Sequence, residues 1–99
     1  MLFAIIGHDK SNSMEHRMKV RPSHLEYIKQ QAAVVKLGGA LLADDGQAML
    51  GSILLIDVAD KAAAEEWSKN DPYRRDGVFG TVEIHPFRAA TVNMAPASH

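Results

Sequence analysis

Two short runs, Leu2-Phe3-Ala4-Ile5-Ile6 and Ile53-Leu54-Leu55-Ile56, are apolar at every consecutive position. A strand with one wet face alternates apolar and polar residues, so an unbroken apolar run asks to be buried on both sides. The chain has 99 residues in which to do this. That is one domain, and a chain of this size buries roughly 60–65% of its unfolded surface. Any fold it adopts must place two doubly buried strands at the centre of a sheet and find cover for both faces.

The elements available for that cover follow from periodicity. Residues 2 to 9 read as a strand halted around Gly7. Residues 14 to 20 carry helix formers but run into Arg21-Pro22, and proline disfavours helix at the residue before it, so one or two turns at most are expected there. Leu25, Ile28, Ala32 and Val35 then recur at helical spacing, which predicts a helix over 22–36. Its start has two candidate caps, Pro22 at the first helical position or the Ser23/Glu26 capping box, and both place His24 in the first turn. Gly38-Gly39 is the expected C-cap. Residues 40–43 and 50–58 read as strands joined through Asp44-Asp45-Gly46-Gln47, where Asp-Gly is a hairpin signal. Asp60 caps a second helix that ends at Asn70-Asp71-Pro72. A last strand over 78–88 alternates, with Val78, Val82 and Ile84 on one side and Phe79, Thr81, Glu83, His85 and Phe87 on the other. Residues 89–99 read as a loosely packed tail.

The order is therefore β-α-β-β-α-β, which makes the fold class α+β: the ferredoxin-like arrangement of one antiparallel sheet with two helices on one face. Two helices leave the other face bare. At about 25 cal/mol per Å², a few hundred square ångströms of apolar surface favours a partner by several kcal/mol, so a homodimer packed through the open sheet face is expected.

Composition narrows the chemistry. Eleven Lys and Arg stand against twelve Asp and Glu, which leaves no basic surplus for nucleic acid or an anionic membrane. There is no cysteine, so disulfides, thiolate nucleophiles and Cys-held zinc are excluded. No membrane span or targeting segment is apparent, which makes a cytoplasmic location the expectation. No Gly-rich phosphate or dinucleotide loop is present, so no cofactor is expected. A metal set of His8, His24 and Asp71 is imaginable, but no metal-ligand spacing supports it, and none is expected. Arg74-Arg75 reads as an exposed charged loop, and Met14, Met18, Met49 and Met94 are too scattered to form an adaptable binding surface.

Asp9-Lys10, Arg21-Pro22-Ser23-His24-Leu25, Gly51-Ser52, Asp71-Pro72-Tyr73, Gly77-Val78 and Pro86-Phe87 resemble, in order and spacing, the YCII-related (YciI-like) domain family, with coverage to about Arg88. The R-P-x-H-L and D-P-Y elements are the most specific of these. The resemblance implies a small dimeric α+β barrel with a His/Asp site, here His24 and Asp71. Proteins of similar architecture include a dehydrochlorinase acting on chlorinated hydroxyquinol and muconolactone isomerase. Activity in the family itself is mostly unassigned.

Taken as residues, His24 exchanges a proton near neutral pH without special help, against the plainer reading of a surface histidine on a helix. A carboxylate at about 4 Å favours an imidazolium by a raw ~4 kcal/mol at an effective dielectric of roughly 20, against about 0.3–1 kcal/mol from a helix N-terminus. If Asp71 touches His24, the carboxylate dominates. Asp71 alone reads as a turn initiator before proline, and an intrachain pair requires residues 70–76 to fold back over the sheet. Tyr73 is a candidate pocket-closing phenol or a residue packed under a loop. Ser52 is a candidate pocket-lining hydroxyl without a nucleophile motif. Asp9, at the end of its strand, either orients a ligand or caps the turn. Two functions fit this equipment. One is an enzyme in which His24, oriented by Asp71, moves a proton during elimination or isomerisation of a small cyclic or aromatic substrate. The other is a metabolite-binding or accessory dimer without turnover.

Overall fold

A computed structural model describes residues 1–94. Its elements are β1 (Leu2–Asp9), α1 (Met14–Gln30), β2 (Val35–Leu42), β3 (Met49–Asp57), α2 (Lys61–Lys69), α3 (Pro72–Arg75) and β4 (Phe79–Phe87). The four strands form one antiparallel sheet in the order β2-β3-β1-β4. The two unbroken apolar runs are the two central strands, and the fold is the expected ferredoxin-like α+β arrangement.

The register sorts each strand by face. Phe3, Ile5, Leu54, Ile56 and Ile84 turn toward the helices and build the main core with Ala64 and Trp67 of α2. A second cluster of Val20, Tyr73, Val78 and Phe79 fills the space beneath α3. Ile6, Ile53, Leu55, Leu37 and Phe87 point the other way, where no element among the described residues covers them, and Leu37, Ile53 and Phe87 are 47%, 38% and 43% exposed.

Three expectations need correcting. The long helix begins at Met14 and ends at Gln30 instead of spanning 22–36, so Pro22 lies inside it and neither Pro22 nor Ser23 caps it. An interior proline costs a helix about 3 kcal/mol. That cost is met by the packing of the face bearing Arg17, Val20 and His24, all three buried. Arg17 and His24 are polar, so the stripe does not register as hydrophobic periodicity. The helix starts at Ser13, whose hydroxyl donates to the Lys10 carbonyl at 2.6 Å. Consequently His24 is in the interior of its helix, not in the first turn.

Second, Gly38-Gly39 does not cap the helix but lies in β2, which starts five residues before the expected 40 and runs on to Leu42. Both are in ordinary extended backbone, and a Cβ on Gly38 would come within 2.6 Å of a Leu54 methyl. Third, Phe79 shares the core with Val78 and Val82 instead of facing away from them. A register shift between His8 and Asp9 changes the phase of the β1–β4 pairing at that point. The single turn α3 was not foreseen. Residues 88–94 have no helix or strand, and the rest of the expected tail lies outside the described residues.

The bulge makes Gly7 a constrained position. A Cβ there would sit 2.6–2.7 Å from three carbons of the Phe79 ring, whose edge in turn meets Tyr73 at a centroid distance of 5.7 Å. Overpacking of this kind costs roughly 1–3 kcal/mol, and each kcal/mol moves the midpoint of a domain this size by about 4–8 °C. Gly7→Ala is therefore expected to lower the thermal midpoint by at least about 4 °C, measured by circular dichroism. An unchanged midpoint would show that Phe79 yields freely.

Candidate functional site

Residues on one face of α1, at positions 17, 21, 24, 25 and 28, form one wall of a cleft of about 210 Å³. Positions separated by four, three, one and three fall together on a helix, so one stripe supplies the whole wall. Gly38, Ala40, Ser52 and Leu54 belong to the facing strands β2 and β3, and Tyr73 lines the cleft from α3. The small residues on β2 leave the room that larger side chains would fill.

His24 and Asp71 meet in this structure. Nδ1 of His24 lies 2.7 Å from Oδ1 of Asp71, and both side chains are almost wholly buried. The same Oδ1 accepts the backbone N–H of Tyr73 at 3.0 Å. Asp71 is thus the N-cap of α3 with Pro72 as its first residue, the turn-initiating role expected of Asp before Pro, and it reaches His24 with the oxygen that caps the turn. Residues 70–76 do fold back against α1. Gly77, at φ 79°, then turns the chain toward β4 in a backbone conformation that glycine adopts without strain. Nε2 of His24 makes no hydrogen bond to a described residue, and His24 is one of the cleft-lining residues.

Tyr73 holds the wall together. Its ring stacks on His24 with centroids 3.9 Å apart and planes 14° from parallel, and the Arg17 guanidinium lies 4.4 Å from its centre. Arg17 and His24 lie about two turns apart on one helix face, and the Tyr73 ring contacts both. Burial is the main cause that raises the Tyr73 phenol above its ordinary pKa, with Arg17 and Arg21 pulling the other way, so the hydroxyl remains a proton donor in neutral solution.

Arg17 is buried, and sequence reasoning passed over it. Its Nη1 donates to both carboxylate oxygens of Asp9 at 2.9 Å, and its Nη2 donates to Ser52 Oγ at 2.8 Å. Asp9 is therefore taken up by Arg17 and does not line this cleft, whereas Ser52 does, with its hydroxyl acting as acceptor to Arg17. Arg17 Nε is sealed without an acceptor among the described residues. The signal that would have found Arg17 and Arg21 is their i, i+4, i+7 spacing with His24, which is visible only once the helix is started at Met14.

The other histidines stand apart. His8 and His85 lie on the open sheet face, 3.4 and 3.3 Å from Glu83, and His16 contacts the Asp76 carbonyl. His99 is outside the described residues. Among the described residues, no group of three or more His, Asp or Glu side chains is placed to hold a metal ion, and no helix is long and apolar enough to cross a membrane.

With this geometry in view, the comparisons with known proteins are specific. The family model of the YCII-related domain matches residues 1–88. The chain belongs to the YCII-related domain family. Within it, the chain is 30% identical over 95 residues to Protein YciI of Escherichia coli, covering 89% of this chain and 97% of that protein. A Haemophilus influenzae protein is 32% identical over the same length. Among solved structures, the chain is similar to 5-chloro-2-hydroxyhydroquinone dehydrochlorinase from Burkholderia phenoliruptrix AC1100 in complex with 2,5-dihydroxybenzoquinone. That match has a TM-score of 0.80 at 25% identity and covers 89% of this chain and 94% of the other. An antibiotic biosynthesis monooxygenase, at TM-score 0.51 and 12% identity, shares the fold alone.

The two tyrosines of this YCII-related domain give a pH signature. Tyr27 donates to the Trp67 carbonyl at 2.8 Å, and its pKa is raised to about 12, first by burial and then by the charges of Asp71 and Glu66. Tyr73 is raised as well. A phenol whose folded pKa exceeds its unfolded value stabilises the fold fully below the unfolded value of 10.0, and that contribution is lost as pH rises toward 12. Ultraviolet titration of the native protein should show little tyrosinate at pH 10.0, with ionisation coinciding with loss of structure above it. Half-ionised tyrosines in a folded protein at that pH would contradict the burial argument.

Proposed function

We propose that this chain is a small-molecule enzyme that uses His24 as general acid/base, oriented by Asp71, for elimination or isomerisation of a small cyclic substrate. The observation that carries the reading is the division of labour on one imidazole: Nδ1 lies 2.7 Å from a buried carboxylate, while Nε2 has no partner among the described residues and the ring lines a cleft. A carboxylate on Nδ1 keeps the proton there and leaves Nε2 free to accept one. In an elimination, Nε2 takes a proton from the substrate, the electron pair left behind forms the new double bond, and the leaving group departs with its bonding pair. The imidazolium, steadied by Asp71, then returns its proton to water. Tyr73 fixes the ring plane by stacking, and Ser52 and Tyr73 offer hydroxyls to the bound molecule. Asp9 holds the cleft-lining Arg17 in place. The likeness to a dehydrochlorinase bound to a dihydroxybenzoquinone supports a hydroxylated ring as the kind of substrate.

The test is chloride release from 5-chloro-2-hydroxyhydroquinone, the compound named for that neighbour. Positioned acid/base catalysis is worth about 10²–10⁴-fold, so His24→Ala should lower turnover by that factor with secondary structure unchanged. Asp71→Asn should lower it less, because the imidazole remains. Turnover of His24→Ala within a few-fold of the parent would remove the base assignment. Binding without turnover by the parent would instead make the chain a ligand-holding module.

The working form is a homodimer through the open sheet face. The apolar side chains exposed there, Leu37, Ile53 and Phe87 among them, form a face that a second copy can cover about a two-fold axis. Sedimentation equilibrium at micromolar concentration should give twice 10.8 kDa. A monomer mass at that concentration would refute the assembly without touching the acid/base reading.

A further inference from the structure

Among the described residues, those lining the cleft include two arginines and a histidine but no carboxylate. Asp9 and Asp71 are close behind, yet both oxygens of Asp9 are bound by Arg17, and Oδ1 of Asp71 holds His24 and the Tyr73 amide. The charge of Arg17 is therefore answered within the protein. Arg21 is different. It lies one turn from Arg17 and just under one turn from His24 on the same helical face, is exposed, lines the cleft, and forms no ion pair or hydrogen bond with a described residue. Arg74 and Arg75, by contrast, are paired with Glu65 and Asp76. A guanidinium is charged at any working pH and presents a planar fork of donors. Set beside the apolar walls of Leu25, Ile28 and Leu54, its field is less screened than on an open surface.

Size narrows the ligand. A dry cavity of about 150 Å³ accepts benzene, so a cleft of about 210 Å³ has room for one substituted ring. Position on the helix narrows it again: three residues apart, Arg21 and His24 lie on neighbouring turns of one face and line the same cleft, so one small molecule can meet both.

From this placement we infer that the cleft selects a single-ring organic anion, with its carboxylate or ionised enol oxygen on Arg21 and its reacting carbon beside His24. The inference rests on the reading of the cleft as a substrate site and adds the charge of the substrate and the residue that recognises it. It has a chemical consequence. Removing a proton from the ring at His24 builds negative charge within the bound molecule, and a cation already seated at its far side stabilises that charge more than the starting charge. Arg21 is here a specificity-determining residue that touches substrate, and it takes no proton.

The experiment is an amide-resonance NMR titration of the full chain with benzoate and with benzamide, which match in shape and differ in charge, and with 2,5-dihydroxybenzoquinone as the ionised enol. Benzoate should shift the amides of Gly38, Ala40 and Ser52 and bind at least about fivefold more tightly than benzamide, a preference that shrinks with added salt. Arg21→Gln should abolish the preference, and Arg21→Lys should restore most of it. Since residue 21 is exposed, these variants are expected to keep the amide spectrum of a folded protein. Preference for the enol alone would identify the anion as an enolate, and preference for both would identify a general oxyanion site; either supports the inference. Equal affinity for benzoate and benzamide with no preference for the enol, absence of binding by any probe, or an undiminished preference in Arg21→Gln would overturn it. His24→Gln separates the two readings: charge selection that survives in this variant belongs to Arg21, whether or not the parent turns over. Conversely, His24-dependent turnover with no charge selection removes only the role of Arg21.

Discussion

A single carboxylate oxygen ties the site to the fold. Oδ1 of Asp71 receives the Tyr73 amide, which starts the one-turn helix α3, and lies at hydrogen-bond distance from Nδ1 of His24 on the long helix. Without the first bond the Asp-Pro-Tyr turn has no cap. Without the second, a buried imidazole and a buried carboxylate each lose a partner, the situation in which burial of polar groups becomes expensive. The stack of Tyr73 on His24 and the approach of Arg17 to the same ring depend on both. Local turn chemistry and site geometry are one feature, which is why the structural and the chemical accounts of Asp71 do not compete.

That feature also explains which parts of the fold the sequence made legible. Central strands announced themselves through unbroken apolar runs, and Asp60 marked the start of α2 by a cap that the structure realises, its carboxylate accepting the Ala63 amide at 2.8 Å. The bounds of the long helix are hidden from the sequence for a physical reason. Its buried stripe is built around Arg17 and His24, whose burial is stabilised by Asp9 and Asp71 far away in sequence, and hydrophobic periodicity cannot see a polar residue that a distant carboxylate has made fit to bury. Leu25, the first residue of the stripe that periodicity did find, is 45% exposed on the cleft wall. Pro22 compounded the error, because local propensity there opposes a helix that tertiary packing enforces. Resemblance to the family pointed to His24 and Asp71, whereas the spacing that sets Arg17 and Arg21 beside His24 becomes legible only once the helix is started at Met14.

The phase of β4 is hidden from the sequence for a related reason. Strict alternation assigns Phe79 to the open face, but one shifted residue at His8/Asp9 returns it to the core. A bulge inserts an odd residue and so inverts the face of everything beyond it. Here the inversion carries the Phe79 ring over Gly7 and against Tyr73, so the irregularity in the sheet becomes the support under the site.

The cleft exists because the helices do not cover the inner face evenly. Trp67 and Ala64 of α2 close over β1 and β4, whereas α1 faces β2 and β3 across Gly38, Ala40 and Ser52, none of which has a side chain long enough to bridge the gap. A larger residue at any of the three would exchange the cavity for core. The stretch that reads in sequence as a helix cap followed by a short strand is in fact a floor kept low along an edge strand. The polar residues of α1 stand above it because that is the part of the core that was never filled: Arg17 and His24 can be buried there with their carboxylates behind them, and the space in front of them is left for a ring that brings its own charge.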